Sequence, residues 1–214
     1  MSNVTKWVAE KLAQNEQRLK VVNCMSEDVL VVESSDGYTF LVAVLGVQDI
    51  VQVSHVEPLF AGATKPQLVV NVPSKTLWSG AAIEFVHSIP AAFGTMGDVA
   101  RAATTKSAES FRDKNMGFFI NAMEQHANVL AVSYVYDCVF RVDQRNGAGV
   151  TVALVDAYNM SAEDVRNART RVGHFDVIAK SSSYGSITDQ AVAAAQSMGA
   201  EAHAFAGLMR RLAR

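Results

Sequence analysis

The feature that most constrains this chain is that its order of elements runs through twice. Asp28 and Asp137 stand 109 residues apart, and so do Ala82 and Ala191, Ser88 and Ser197, and Arg101 and Arg210. At the same spacing the run 67–70 falls on 176–179, with one residue of slip in the hairpin and about two at the first helix. A pattern repeated at a fixed long period marks a supersecondary unit copied in tandem. The simpler alternative is one α/β domain whose halves look alike because α/β units resemble one another.

The first pass opens with Val4, Trp7, Val8 and Leu12, spaced for one face of a helix. Strands are expected over 19–25, 28–33 and 38–45, with Asp36-Gly37 as a hairpin turn between the last two. A less regular stretch, 48–60, reads as helical. The run 66–72 is almost continuously apolar, as in a strand buried on both faces. Trp78, Ala82, Phe85, Val86 and Ile89 then recur at helical spacing, followed by a short strand at 91–93 and a helix over 96–103. The second pass places Phe111, Phe118, Phe119, Ala122 and Met123 on a helix over 107–125, with strands over 129–136, 138–142 and 150–158. Ser161 with Asp164 reads as a capping box, 174–180 as a strand, and Ser186 as the cap of the next helix. A strand at 201–205 and a helix on Leu208, Met209 and Leu212 close the pass. Trp7, Trp78 and the phenylalanines sit at core spacing. The expected domains are 1–105 and 106–214.

Composition limits the function. Half of the 214 residues are hydrophobic and 19% are charged, enough apolar material for a large core. Nineteen basic against twenty-one acidic side chains leave a net charge of −2. That excludes a protein that coats polyanions generally, and confines nucleic-acid binding to a local patch. Two cysteines, Cys24 and Cys138, make no disulfide scaffold. The amino-terminal stretch lacks the apolar core of a signal peptide, and no apolar run is long enough to span a bilayer. A cytoplasmic protein without membrane attachment is the expectation.

Each pass reads helix, three antiparallel strands, helix, strand, helix, short strand, helix. This order resembles the restriction-endonuclease-like fold, the PD-(D/E)XK superfamily. The stretch from Phe175-Asp176-Val177-Ile178 through Ile187-Thr188 and Ala191 is similar to the end of Mrr-type members. The resemblance implies an α/β fold of two tandem units, each a mixed central sheet flanked by helices, forming a pseudo-dimer. It also implies a metal pocket. Residues i and i+2 of a strand share a face, so an acid and a Lys project together while the neighbouring strand supplies a second carboxylate for Mg²⁺. In the second half Asp137 and Asp156 take the acidic, metal-binding positions, and Tyr158 stands where the Lys is expected. A phenol carries no positive charge at neutral pH. Lys180 on the next strand is then the candidate cation, and Glu124 a candidate helix carboxylate. In the first half Asp28 remains, but Gly46 or Val47 replaces the second acid and no Lys follows.

Two functions follow from the resemblance, and a plain α/β interaction module with no nuclease ancestry is the third reading. The first is a non-catalytic binding or scaffold protein on a degenerate nuclease-like fold, needing no cofactor, with protein or DNA as partner and a homo-oligomer as one possible form. The second is a Mg²⁺-dependent DNA endonuclease working through the carboxy-terminal half alone. The plain reading of Asp137, Asp156 and Lys180 is that they cap turns or face solvent. Other motifs are absent. Lys75-Thr76 lacks the glycines of a phosphate loop, the five histidines have no zinc-ligand spacing, and no Gly-x-Ser-x-Gly elbow occurs. Arg166, Arg169 and Arg171 fit an ordinary solvated helix face.

Overall fold

The computed structural model describes residues 1–14, 19–26 and 28–213. The chain divides into two compact units, Met1–Asp113 and Lys114–Arg214. The sequence boundary at 105/106 moves to this point because Ala108 and Phe111 pack into the core of the first unit. Phe111 is therefore not part of the helix that follows. It lies just past a short 3₁₀ turn at Ala108–Ser110.

The first unit runs α1 (Asn3–Ala13), β1 (Leu19–Ser26), β2 (Val29–Ser34), β3 (Thr39–Leu45), α2 (Val53–Val56), β4 (Leu68–Asn71), α3 (Gly80–Ser88), β5 (Ala92–Thr95) and α4 (Asp98–Thr105). The second runs α5 (Lys114–Glu124), β6 (Val129–Tyr136), β7 (Val139–Gln144), β8 (Val150–Val155), α6 (Ala162–Val172), β9 (Val177–Lys180), α7 (Asp189–Ser197), β10 (Glu201–Ala204) and α8 (Phe205–Leu212). Each unit is mixed α/β, with a five-stranded sheet flanked by helices.

The sheets share one topology, β1-β2-β3-β4-β5 and β6-β7-β8-β9-β10. In each, the first three strands pair antiparallel and the last three parallel. The registers correspond closely: Val29 pairs with Ala43 in one sheet, and Val139 with Ala153 in the other. Isolated bridges join Val51 to Trp78 and Met160 to Ile187, at the same place in each pass.

Local chemistry explains the boundaries. Ser2 caps α1 by accepting from Thr5 N at 3.3 Å. Gly37 takes φ +85° in the β2–β3 hairpin, a conformation that needs glycine. Ser161 and Asp164 form the expected capping box on α6. The cap of α7 is Thr188, which accepts from Ala191 N at 3.2 Å. Ser186 instead bonds to Asn159 and joins two loops. The 48–60 stretch is only partly helical, as α2 and a 3₁₀ turn over Glu57–Phe60.

Alternation along the strands sorts the second unit's core onto two faces. Val152, Val177 and Ala179 pack with Phe119 and Met123 of α5 and with Leu208 and Leu212 of α8. Ala153 and Ile178 face the other way, toward Val165 of α6 and Ala191 and Ala195 of α7. Phe140 anchors the first of these layers, 4.6 Å from the ring of Phe119 and 4.9 Å from that of Tyr134. Such ring pairs add about 1 kcal/mol each beyond area burial. Two aromatics at core spacing depart from expectation: Trp7 is 44% exposed and Phe118 is 56% exposed. Among the described residues no helix is long and apolar enough to cross a membrane.

Candidate functional site

The carboxy ends of β8 and β9 bring together most of the residues that the sequence singles out. β8 ends at Val155, so Asp156 and Tyr158 lie beyond it and the shared-face spacing of a strand does not apply to them. Asp156 is exposed and accepts a hydrogen bond from Ser181 Oγ at 3.3 Å. Tyr158 is also exposed. Glu124 is the exposed last residue of α5. Asp137 occupies the tight turn between β6 and β7, whose ends pair through Tyr136 and Val139.

Lys180 is the most unusual of these groups, since only 1% of it is exposed. The sheet register pairs it with Val155 and not with Asp156. Paired residues point to one face of the sheet, so Lys180 shares the face of Val155. Its ammonium donates to Ser182 O at 2.7 Å and to Tyr184 O. The cation is therefore spent on carbonyls of its own loop, where it fixes the 181–185 segment. From the far side, Gly185 closes the segment at φ +77°: a Cβ there would lie 1.9 Å from Tyr158 O.

Two clefts flank Asp156. One of about 330 Å³ lies against α6, with Cys138, Asp164, Asn167 and Arg171 among its walls. Burial, and then the charge of Asp137, push the Cys138 thiol up to about 12, while Arg171 acts in the opposite sense. A thiol so placed stays protonated and is not a nucleophile. The other cleft, of about 370 Å³, is lined by Lys114, Asn115, Phe118 and the Ser181–Tyr184 loop.

In the first unit the sheet register sets Asp28, just before β2, opposite Cys138 and not Asp137, one residue off the 109-residue spacing. Asp28 accepts from the buried Thr5 Oγ1 at 3.0 Å, tying α1 to the sheet. Asn71, at the end of β4, is as buried as Lys180 and donates from Nδ2 to Val47 O at 3.0 Å and Pro73 O at 3.4 Å. Arg169, on the face read as solvated, carries packing work: its guanidinium lies 4.9 Å from the Phe175 ring centroid and donates to Met198 O.

Among the described residues no three of His, Cys, Asp and Glu gather where one ion could be shared. The Lys180 ammonium is turned to the carbonyls of its own loop. Sequence reasoning also missed the cleft beside Phe118. The available signal was the aromatic at the second turn of the first helix in each pass, Trp7 and Phe118. Comparison with family models, with curated proteins and with solved structures found no match for this chain.

Proposed function

We propose that this chain is a non-catalytic binding or scaffold protein. In this reading it is built from two duplicated units of restriction-endonuclease-like ancestry, with protein or nucleic acid as its partner. The observation that carries it is the buried Lys180 ammonium, held by the carbonyls of Ser182 and Tyr184. A lysine that orients water in a nuclease needs its ammonium beside the metal carboxylates. Asn71 does a similar job at the end of β4, bonding to the carbonyl two residues ahead as Lys180 does. The shared topology of the two sheets and the 109-residue spacing support the duplication. The absence of a charge surplus and the exposed Trp7, Met25, Phe118 and Leu130 suit contact with a partner more than general coating of DNA.

The test is supercoiled plasmid incubated with Mg²⁺ or Mn²⁺ and either the wild-type chain or Asp156→Ala. Equal nicking by both, at the level of buffer, is expected. Cleavage by the wild type that disappears in Asp156→Ala would establish the endonuclease instead.

A further inference from the structure

We propose that the cleft at the carboxy ends of β8 and β9 binds a nucleoside monophosphate through Phe118, Asp156, Lys114 and the Ser183 hydroxyl of the following loop. The proposal rests on the binding, non-cleaving reading of the same corner and gives it a ligand. The cleft opens where β8 and β9, a parallel pair, run out. Crevices outside the carboxyl ends of strands are the usual ligand positions in α/β sheets. Its volume of about 370 Å³ lies in the range of small-molecule sites.

Every group in the wall has a use for such a ligand. Phe118 is largely exposed although Phe205 lies 4.7 Å away and backs its ring. It therefore presents an apolar surface, fixed from behind, on which a base can stack. Asp156 gives one oxygen to a long bond from Ser181 and keeps acceptor capacity for the vicinal hydroxyls of a ribose. Lys114 and the hydroxyl of Ser183 supply donors for a phosphate. The loop that carries Ser183 is already held, by Lys180 beneath it and by Gly185 packed on Tyr158 O. A site ordered beforehand loses less entropy on binding.

The first unit provides an internal comparison. At the corresponding place, Asn3, Val4, Trp7 and Val72 line a cleft of about 250 Å³. The exposed aromatic recurs there on the first helix, but none of the four lining side chains is charged. The stacking surface is thus common to both units, and the groups for ribose and phosphate belong to the second alone.

The probe is AMP, titrated calorimetrically into the full chain, with circular dichroism confirming that each variant is folded. Saturable one-to-one binding is expected. Phe118→Ala should weaken it roughly ten-fold, the loss of one stacked base. Lys114→Ala should weaken AMP by a similar factor and leave adenosine unchanged, and Asp156→Asn should weaken both. Trp7→Ala, in the other unit, should change nothing. A 5′-phosphorylated oligonucleotide titrated in parallel tells a free nucleotide from a strand end: tighter binding with the same variant pattern assigns the site to the end of a strand. No saturable heat at millimolar AMP, or equal affinity in wild type, Phe118→Ala and Lys114→Ala, overturns the proposal. Release of adenosine from AMP, lost in Asp156→Asn, would instead overturn the non-catalytic reading while leaving the ligand class intact.

Discussion

Asn71 and Lys180 hold the same place in their respective units, and each ends the fourth strand of its sheet as a buried donor to the carbonyl two residues ahead. The shared task is to stop the chain at the end of a buried strand and turn it into a loop without leaving carbonyls unpaired. In the first unit a neutral amide does this, and in the second an ammonium does. Lys180→Met keeps the stem and removes the donors, so it should lower the unfolding free energy by about 1–3 kcal/mol. Amide hydrogen exchange should accelerate over 181–185, because the loop loses its tether. Denaturant unfolding indistinguishable from wild type would show that the two hydrogen bonds contribute nothing net.

Gly185 and Gly199 separate backbone strain from crowding. Both have left-handed φ, +77° and +72°. A Cβ at Gly199 meets nothing within 4 Å, whereas at Gly185 it would sit 1.9 Å from the backbone oxygen of Tyr158. Gly199→Ala should cost about 1–2 kcal/mol, the left-handed penalty alone. Gly185→Ala should cost at least about 2 kcal/mol more, since backbone must move to admit the methyl. Thermal melts of the pair measure the difference, and equal costs would mean that the 181–185 loop yields freely.

The strands were legible in the sequence because their apolar alternation is strong and the hairpin turn carries Asp36-Gly37. The repeated order was legible for the same reason. What misled was the end of each element. Asp156 and Tyr158 look like a continuation of β8, but the strand stops at Val155, where pairing with Lys180 ends. Phe111 has helical spacing with Phe118, yet its side chain belongs to the first unit's core. Lys180 reads as a free cation because a lone lysine after three apolar residues gives no sign that loop carbonyls close over it. These are tertiary facts, fixed by which backbone groups lack partners once the sheet is formed.

Trp7 and Trp78 differ in burial in a way that fluorescence can read. Trp7 is substantially exposed on α1, whereas Trp78 is 3% exposed and lies 5.2 Å from the ring of Phe93. Trp78→Phe, which leaves Trp7, should emit at longer wavelength and be quenched readily by iodide. Trp7→Phe should emit at shorter wavelength and resist iodide. On stability, Trp78→Ala should cost about 3–5 kcal/mol and Trp7→Ala under about 1 kcal/mol. A blue-shifted, protected Trp7 would mean that its face is covered in solution.

His87, near the end of α3, links stability to pH. Burial, assisted by the charge of Arg112, pushes its pKa down from 6.5 to about 4. Its folded value thus lies below its unfolded one, so the unfolded chain takes up the proton first. The neutral ring is compatible with the fold at full stability above pH 6.5. As pH falls from 6.5 toward 4 the unfolded state gains by protonation, and stability is lost through that window until both states are charged. Because the ring is only partly buried, solvent screening reduces the effect to about 1–2 kcal/mol. Denaturant midpoints of wild type should therefore fall between pH 7 and pH 4. His87→Leu, which cannot titrate, should fall less over the same range by that amount. Parallel pH profiles for the two proteins would show that His87 protonates in the fold as easily as in the unfolded chain.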